Sequence, residues 1–173
     1  MIDNSHWIFG YGSLIYKVDF PCLESRPASI TGWVRRFWQG SHDHRGVPEA
    51  PGRVVTLVPE KGAVCQGVAY RVNEDVLAHL DFREKNGYQR VLTPLHFDDG
   101  NQCQGIVYIA TEHNEAYLGK APMTEIAAHI QRCAGPSGSN QDYLFRLAES
   151  LRDLAVYDDH VFELESLLLA NKK

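Results

Sequence analysis

The chain has 173 residues, 44% hydrophobic and 23% charged, and its 17 Lys and Arg against 22 Asp and Glu leave a net charge of −5. A chain of this length can bury a self-supporting core without disulfide or metal staples, and no stretch approaches the roughly 20 apolar residues that cross a bilayer. The acidic balance argues against a nucleic-acid protein, and Met1 to His6 lack the basic start and apolar run of a signal peptide, so a soluble, cytosolic protein is expected.

Without repeats, low-complexity tracts or Gly/Ser linkers, residues 1–173 read as a single domain. The first two thirds reads as strands. Residues 7–10 are a short apolar run, 33–38 carry aromatics around an Arg pair, 53–58 are rich in β-branched residues, and 64–72 continue the series. A helix over 74–85, capped by Asn73 and stopped by Asn86-Gly87, interrupts them. Residues 91–97 and 104–111 then flank the turn signal Asp98-Asp99-Gly100-Asn101 and read as a hairpin. The last third reads as helices. Met123, Ile126, Ile130 and Ala134 form one apolar stripe, closed by Gly135-Pro136. Leu144, Leu147, Leu151 and Leu154 form a second behind a cap at Ser139 or Asn140, and Val161, Leu164 and Leu168 a third after Asp158-Asp159. Strands first and helices afterwards predict an α+β fold, its antiparallel or mixed sheet able to curl into a barrel flanked by helices.

Cys22, Cys65, Cys103 and Cys133 form no C-x-x-C, and buried thiols in a reducing compartment are the expectation. Charge is uneven: residues 26–53 hold five Arg against Asp43 and Glu49, whereas 139–173 hold four basic and seven acidic residues. An Arg cluster in an acidic chain suits a small anionic ligand, or a solvated basic face.

The most informative residue lies on the interrupting helix. Leu77, Leu80 and Glu84 are spaced i, i+3, i+7, which puts a carboxylate on the face that should enter the core. It also falls in the last helical turn, where the macrodipole disfavours negative charge. Two local rules broken at one position point to function, or to an ion pair with a core-facing Arg. Near the N-terminus, Phe9-Gly10-Tyr11-Gly12-Ser13-Leu14 ends a strand with glycines around an aromatic; such a turn can bring backbone N–H groups to an anion, or be a plain tight turn. It lacks the third glycine and βαβ context of a dinucleotide site. His42-Asp43-His44 offers ligand types but no further pair at ligand spacing, so no metal is assigned. The polar stretch 135–140, followed by Tyr143, approaches a helix N-terminus and can serve an anion or cap its own helix.

Taken together, these residues resemble the ChaC family of γ-glutamylcyclotransferases, in its glutathione-specific branch. The match runs through Phe9-Gly10-Tyr11-Gly12-Ser13-Leu14-Ile15, Arg36-Phe37-Trp38-Gln39-Gly40-Ser41, Asp43-His44-Arg45-Gly46 and Pro51-Gly52-Arg53-Val54-Val55-Thr56-Leu57. It continues through Gly67-Val68-Ala69-Tyr70, Leu80-Asp81-Phe82-Arg83-Glu84-Lys85, Gly87-Tyr88 and Ala134-Gly135-Pro136-Ser137-Gly138, with Asn140 and Tyr143. Tyr16 departs from the pattern, family members usually carrying Trp there. The resemblance implies a small mixed β-barrel with flanking helices, no cofactor, and conversion of glutathione to 5-oxoproline and cysteinylglycine. It implies that Glu84 is the catalytic carboxylate and that Gly10, Tyr11, Gly12, Ser13, Leu14 and Ile15 hold the γ-glutamyl group. On that reading the N–H groups of Gly12, Ser13 and Leu14 are candidates for the oxyanion or the α-carboxylate, Arg53 or Arg36 can pair with a substrate carboxylate, and Tyr143 can donate or accept a hydrogen bond. The expected partner is the small molecule alone, with no nucleic acid or membrane; the oligomeric state stays open, a monomer being consistent with the sequence. The competing readings are the same chemistry on other γ-glutamyl dipeptides or amines, and a non-catalytic regulatory module linked to cation transport.

Overall fold

The computed structural model describes residues 4–83 and 88–171. Five strands, β1 (His6–Gly10), β2 (Glu24–Ser41), β3 (Gly52–Val72), β4 (Tyr88–Phe97) and β5 (Gln102–Ala110), close into a barrel in the order β1-β3-β2-β4-β5. β1 pairs antiparallel with β3, Gly10 opposite Val68, and parallel with β5 at Ile8 and Ile106, so the barrel is mixed as expected. Helix α1 (Glu74–Arg83) sits between β3 and β4 in sequence; α2 (Met123–Arg132), the two-residue strands β6 (Ala134–Gly135) and β7 (Gly138–Ser139), α3 (Asn140–Asp153) and α4 (Asp159–Ala170) follow. Among the described residues no helix is long and apolar enough to cross a membrane.

Packing divides the chain into two units, residues 1–34 with 57–111 and residues 35–56 with 112–173, β2 and β3 contributing to both. In the first unit, β4 and β5 form the expected hairpin in unbroken register from Tyr88 opposite Ala110 to His96 opposite Gln102. Its turn closes through Phe97 N–H to Asn101 O (2.9 Å) and needs φ +87 at Gly100, a conformation that glycine takes without steric cost. Asn73 caps α1 by accepting from Val76 N–H at 2.9 Å, and Glu74 and Asp75 complement the dipole in its first turn. The α1 face formed by Val76, Leu77 and Leu80 is buried against Ile8, Tyr70, Val72, Ile106 and Tyr108. The expected extension of this helix to Lys85, its stop at Asn86-Gly87 and Glu84 itself lie outside the described residues.

In the second unit, α3 and α4 begin on side-chain caps: Ser139 Oγ accepts from Asp142 N–H and Asp158 Oδ1 from Val161 N–H, both at 3.0 Å. Ile126, Ile130, Leu144, Leu147, Leu151, Val161, Leu164 and Leu168 are at most 1% exposed, so the central positions of all three apolar stripes are buried, while Met123 and Leu154 at their ends are half-buried.

The strand expectations needed correction. Residues 53–58 and 64–72 belong to one strand, β3, which runs on through exposed Pro59 to Gly62, with φ +82 at Gly62. β2 likewise extends well beyond 33–38 at both ends. Ala134 does not continue the α2 stripe: Cys133 is already extended (φ −108, ψ 147), and Ala134 is an exposed residue of β6, pairing with Ser139 in a small hairpin where a loop was expected. Of the four cysteines, all free, Cys65 and Cys133 are buried but Cys22 is exposed and Cys103 half-buried.

Candidate active site

β1 delivers the chain to the glycine loop in the first unit. Gly10 has no room for a side chain, since a Cβ there would stand 2.9 Å from Leu14 Cβ and 3.3 Å from the Tyr70 ring. On β3, next to the Val68 that pairs with Gly10, a Cβ on Gly67 would fall 2.3 Å from Gly10 O. After Gly10, the buried Tyr11 donates its hydroxyl to Tyr108 O at 2.5 Å, and residues Ser13–Ile15 make one 3-10 turn. The turn is closed by Ile15 N–H to Gly12 O (2.9 Å), Tyr16 N–H to Ser13 O (3.1 Å) and Lys17 N–H to Ser13 O (2.7 Å). The N–H groups of Gly12, Ser13 and Leu14 precede the first of these bonds, and among the described residues no backbone acceptor takes them. Tyr70 fixes the turn from behind, its hydroxyl donating to Leu14 O at 2.5 Å. Burial, with a smaller contribution from Cys22, pushes the Tyr70 phenol up to about 12, so this donor stays protonated throughout the neutral range.

α1 approaches the same barrel with Asp81 in its last described turn. The Asp81 carboxylate accepts from Tyr108 OH at 2.5 Å through one oxygen and from Arg90 Nη1 at 2.9 Å through the other. Glu84 follows three residues later in sequence.

Arg53 and Tyr143 belong to the second unit. The Arg53 side chain, 7% exposed, runs among backbone acceptors: Nη1 donates to Phe37 O (2.9 Å) and Gly119 O (3.0 Å). Its Nε donates to His129 Nδ1 at 3.3 Å, while His129 Nε2 donates to Pro51 O at 2.7 Å, a pattern that selects the neutral Nε2–H tautomer. Burial first, with Arg53 and Arg132 adding to it against the Pro51 bond, lowers the His129 pKa and favours that neutral form. The Tyr143 hydroxyl accepts from Val55 N–H at 3.3 Å, and its ring packs edge-on to Phe37 with centroids 5.8 Å apart.

Much of the Arg cluster serves the fold. Arg26 pairs with Asp99 (2.7 Å), Arg35 with Asp158 (2.7 Å) and Arg45 with Asp142 (3.4 Å), which leaves Arg36 and Arg53 as the members of the cluster without a close ion pair among the described residues, Glu125 being a more distant neighbour of Arg53. His44, from the His-Asp-His run, shares a hydrogen bond with Ser137 Oγ at 3.0 Å.

The sequence reading assigned no role to Tyr70, Asp81, Tyr108, His129 or His160. Asp81 and Tyr70 stood inside motif segments, a signal that could have singled them out; the histidines had none. His160 is buried, stacks on Phe37, and accepts from Phe37 N–H through Nε2 at 3.0 Å. Burial, reinforced by Arg36, lowers its pKa to about 4. Because the folded value lies below the ordinary one near 6.5, His160 contributes stability that is complete above pH 6.5 and is lost as pH falls through 4. The wild-type protein is expected to lose about 2 kcal/mol from this group between pH 7.5 and pH 5, measured by urea unfolding. His160→Gln keeps an acceptor without the titration; a variant with the same pH slope as wild type would exclude His160 as the source.

With this geometry in view, the likeness to solved structures is direct. A crystal structure of a γ-glutamylcyclotransferase specific to glutathione, from yeast, matches with a TM-score of 0.89 at 31% identity, over 97% of each chain. The barrel with its helices is thus the γ-glutamylcyclotransferase fold. A family model described as ChaC-like protein matches residues 6–171, and the chain belongs to the ChaC family. Among its relatives, γ-glutamylcyclotransferase 2-3 of Arabidopsis thaliana is 46% identical over 91% of this chain and 85% of its own length. Glutathione-specific γ-glutamylcyclotransferase 1 of Danio rerio is 45% identical over 96% of this chain and 90% of its own.

Proposed function

We propose that the protein is a glutathione-specific γ-glutamylcyclotransferase, an enzyme that cleaves glutathione to 5-oxoproline and cysteinylglycine. The observation that carries the reading is the glycine loop of residues 10–15, whose leading N–H groups are left for an anion in a chain of this family. In the reaction both partners come from the substrate. The α-amine of the γ-glutamyl group attacks its own γ-carbonyl carbon, a five-membered lactam closes, and the bond from that carbon to the cysteinyl nitrogen breaks. No water is consumed, and the protons shed by the α-ammonium end on the departing nitrogen.

The pocket has three tasks. Folding the γ-glutamyl chain so that amine and carbonyl meet can contribute several kcal/mol through orientation alone. Glu84 is the proposed base that takes a proton from the α-ammonium and returns it to the leaving nitrogen. The N–H groups of Gly12, Ser13 and Leu14 are the proposed donors to the oxyanion or the α-carboxylate. Arg53 and Tyr143 are proposed contacts for the substrate. Nothing in this chemistry calls for a metal or cofactor, and a reducing cytosol, where glutathione is abundant as the thiol, is the proposed compartment.

Incubating the purified protein with reduced glutathione should yield equimolar 5-oxoproline and cysteinylglycine. Absence of 5-oxoproline would overturn the activity. Because the Arabidopsis relative's name carries no substrate, γ-glutamyl-alanine is the comparison: similar kcat/KM on both substrates would remove the restriction to glutathione.

A further inference from the structure

Tyr108 touches both parts of the first unit that the proposed function uses. Its hydroxyl donates to Asp81 Oδ1 at 2.5 Å, on the last described turn of α1, and its carbonyl accepts from Tyr11 OH at 2.5 Å, in the glycine loop. At 7% exposure Tyr108 belongs to the same buried apolar cluster as Leu77 and Leu80 of that helix. Apolar packing of this kind holds α1 against the barrel but sets its rotation and axial position only loosely, because burial is non-directional. A short hydrogen bond to an ionised acceptor sets both. Asp81 also sits where the dipole disfavours a carboxylate, a local cost offset by its two donors.

We propose that Tyr108 and Asp81 form a positioning pair that fixes the last described turn of α1 relative to the glycine loop, the turn from which the chain runs on to the proposed base three residues after Asp81 in sequence. This rests on Glu84 being the base, and the proposed role of the pair is to act through it. Arg90, the second donor to Asp81, is 43% exposed in an ion pair whose partner is 37% exposed, and solvent leaves such a pair little weight. The pair therefore depends on Tyr108.

Because misplacement by an ångström can cost up to a hundredfold in rate, Tyr108→Phe is expected to lower kcat for 5-oxoproline formation about tenfold. KM should stay within about twofold, and Arg90→Gln should leave both nearly unchanged. Asp81→Ala, which removes the acceptor, should reproduce the Tyr108→Phe effect, and the double variant should be no slower than the slower single, since both remove one interaction. Circular dichroism and the urea midpoint establish that each variant is folded under assay conditions. A kcat within about twofold of wild type in folded Tyr108→Phe, a loss carried by KM, or additive losses in the double variant would each overturn the pair. Should Tyr108→Phe not fold, Asp81→Ala applies the same criteria. Wild-type protein that forms no 5-oxoproline overturns the proposed function instead, and wild-type activity that survives Glu84→Gln overturns the base.

Discussion

Glu84→Gln is expected to reduce kcat for cyclisation of glutathione by a factor of roughly 10² to 10⁴, the range that a positioned general base supplies. The substitution keeps the size and planarity of the group and removes only its ability to take a proton. The substrate amine is mostly ammonium at neutral pH, so without a base the attacking lone pair is scarce. Loss should therefore fall on kcat and kcat/KM together, with KM little changed, because the interaction removed is made as the proton moves rather than on binding. Single-turnover formation of 5-oxoproline at saturating glutathione checks this. A purified variant with near wild-type kcat would remove Glu84 as the base and leave the lactam closure to orientation alone.

Asn140→Ala is expected to have the largest effect on stability. Asn140 is fully buried and makes a closed pair with the backbone of β3: its Oδ1 accepts from Arg53 N–H and its Nδ2 donates to Arg53 O, both at 2.7 Å. No smaller or apolar residue can replace both bonds. Truncation leaves a buried donor and a buried acceptor unpaired, at about 1–3 kcal/mol each, for a total of about 2–6 kcal/mol. That is a large fraction of the 5–15 kcal/mol typical of a folded domain. Asn140→Asp should lose a similar amount at neutral pH, since it keeps the acceptor but sets a buried carboxylate against Arg53 O. Equilibrium urea unfolding measures both variants, and a loss under about 1 kcal/mol for Asn140→Ala would show that the Arg53 backbone finds other partners.

What could be read from residues alone was whatever a local period or a local turn decides. The i, i+3 spacing of Leu77 and Leu80 predicts a buried α1 face, and they are 4% and 1% exposed. The hairpin of β4 and β5 was legible because its turn residues and flanking runs are contiguous. The division of β3 was misread for the converse reason. Pro59 to Gly62 carry turn chemistry, but the strand continues through them. Ala134 fitted a helical period that the chain leaves at Cys133, where the backbone turns extended and the next residues pair as β6 and β7.

Composition and the short motifs were enough to determine an α+β fold and its family, and to single out Glu84 as a candidate, because periodicity, composition and contiguous motifs are properties of neighbours in the chain. The tertiary structure decided which groups meet across it: Asn140 with Arg53 at a separation of 87 residues, His160 with Phe37 at 123, Tyr11 with Tyr108 at 97. It also decided that three of the five arginines in the basic stretch are held by the protein's own carboxylates. Residue types state what a side chain can donate or accept. Only the packing of distant segments states what it is given.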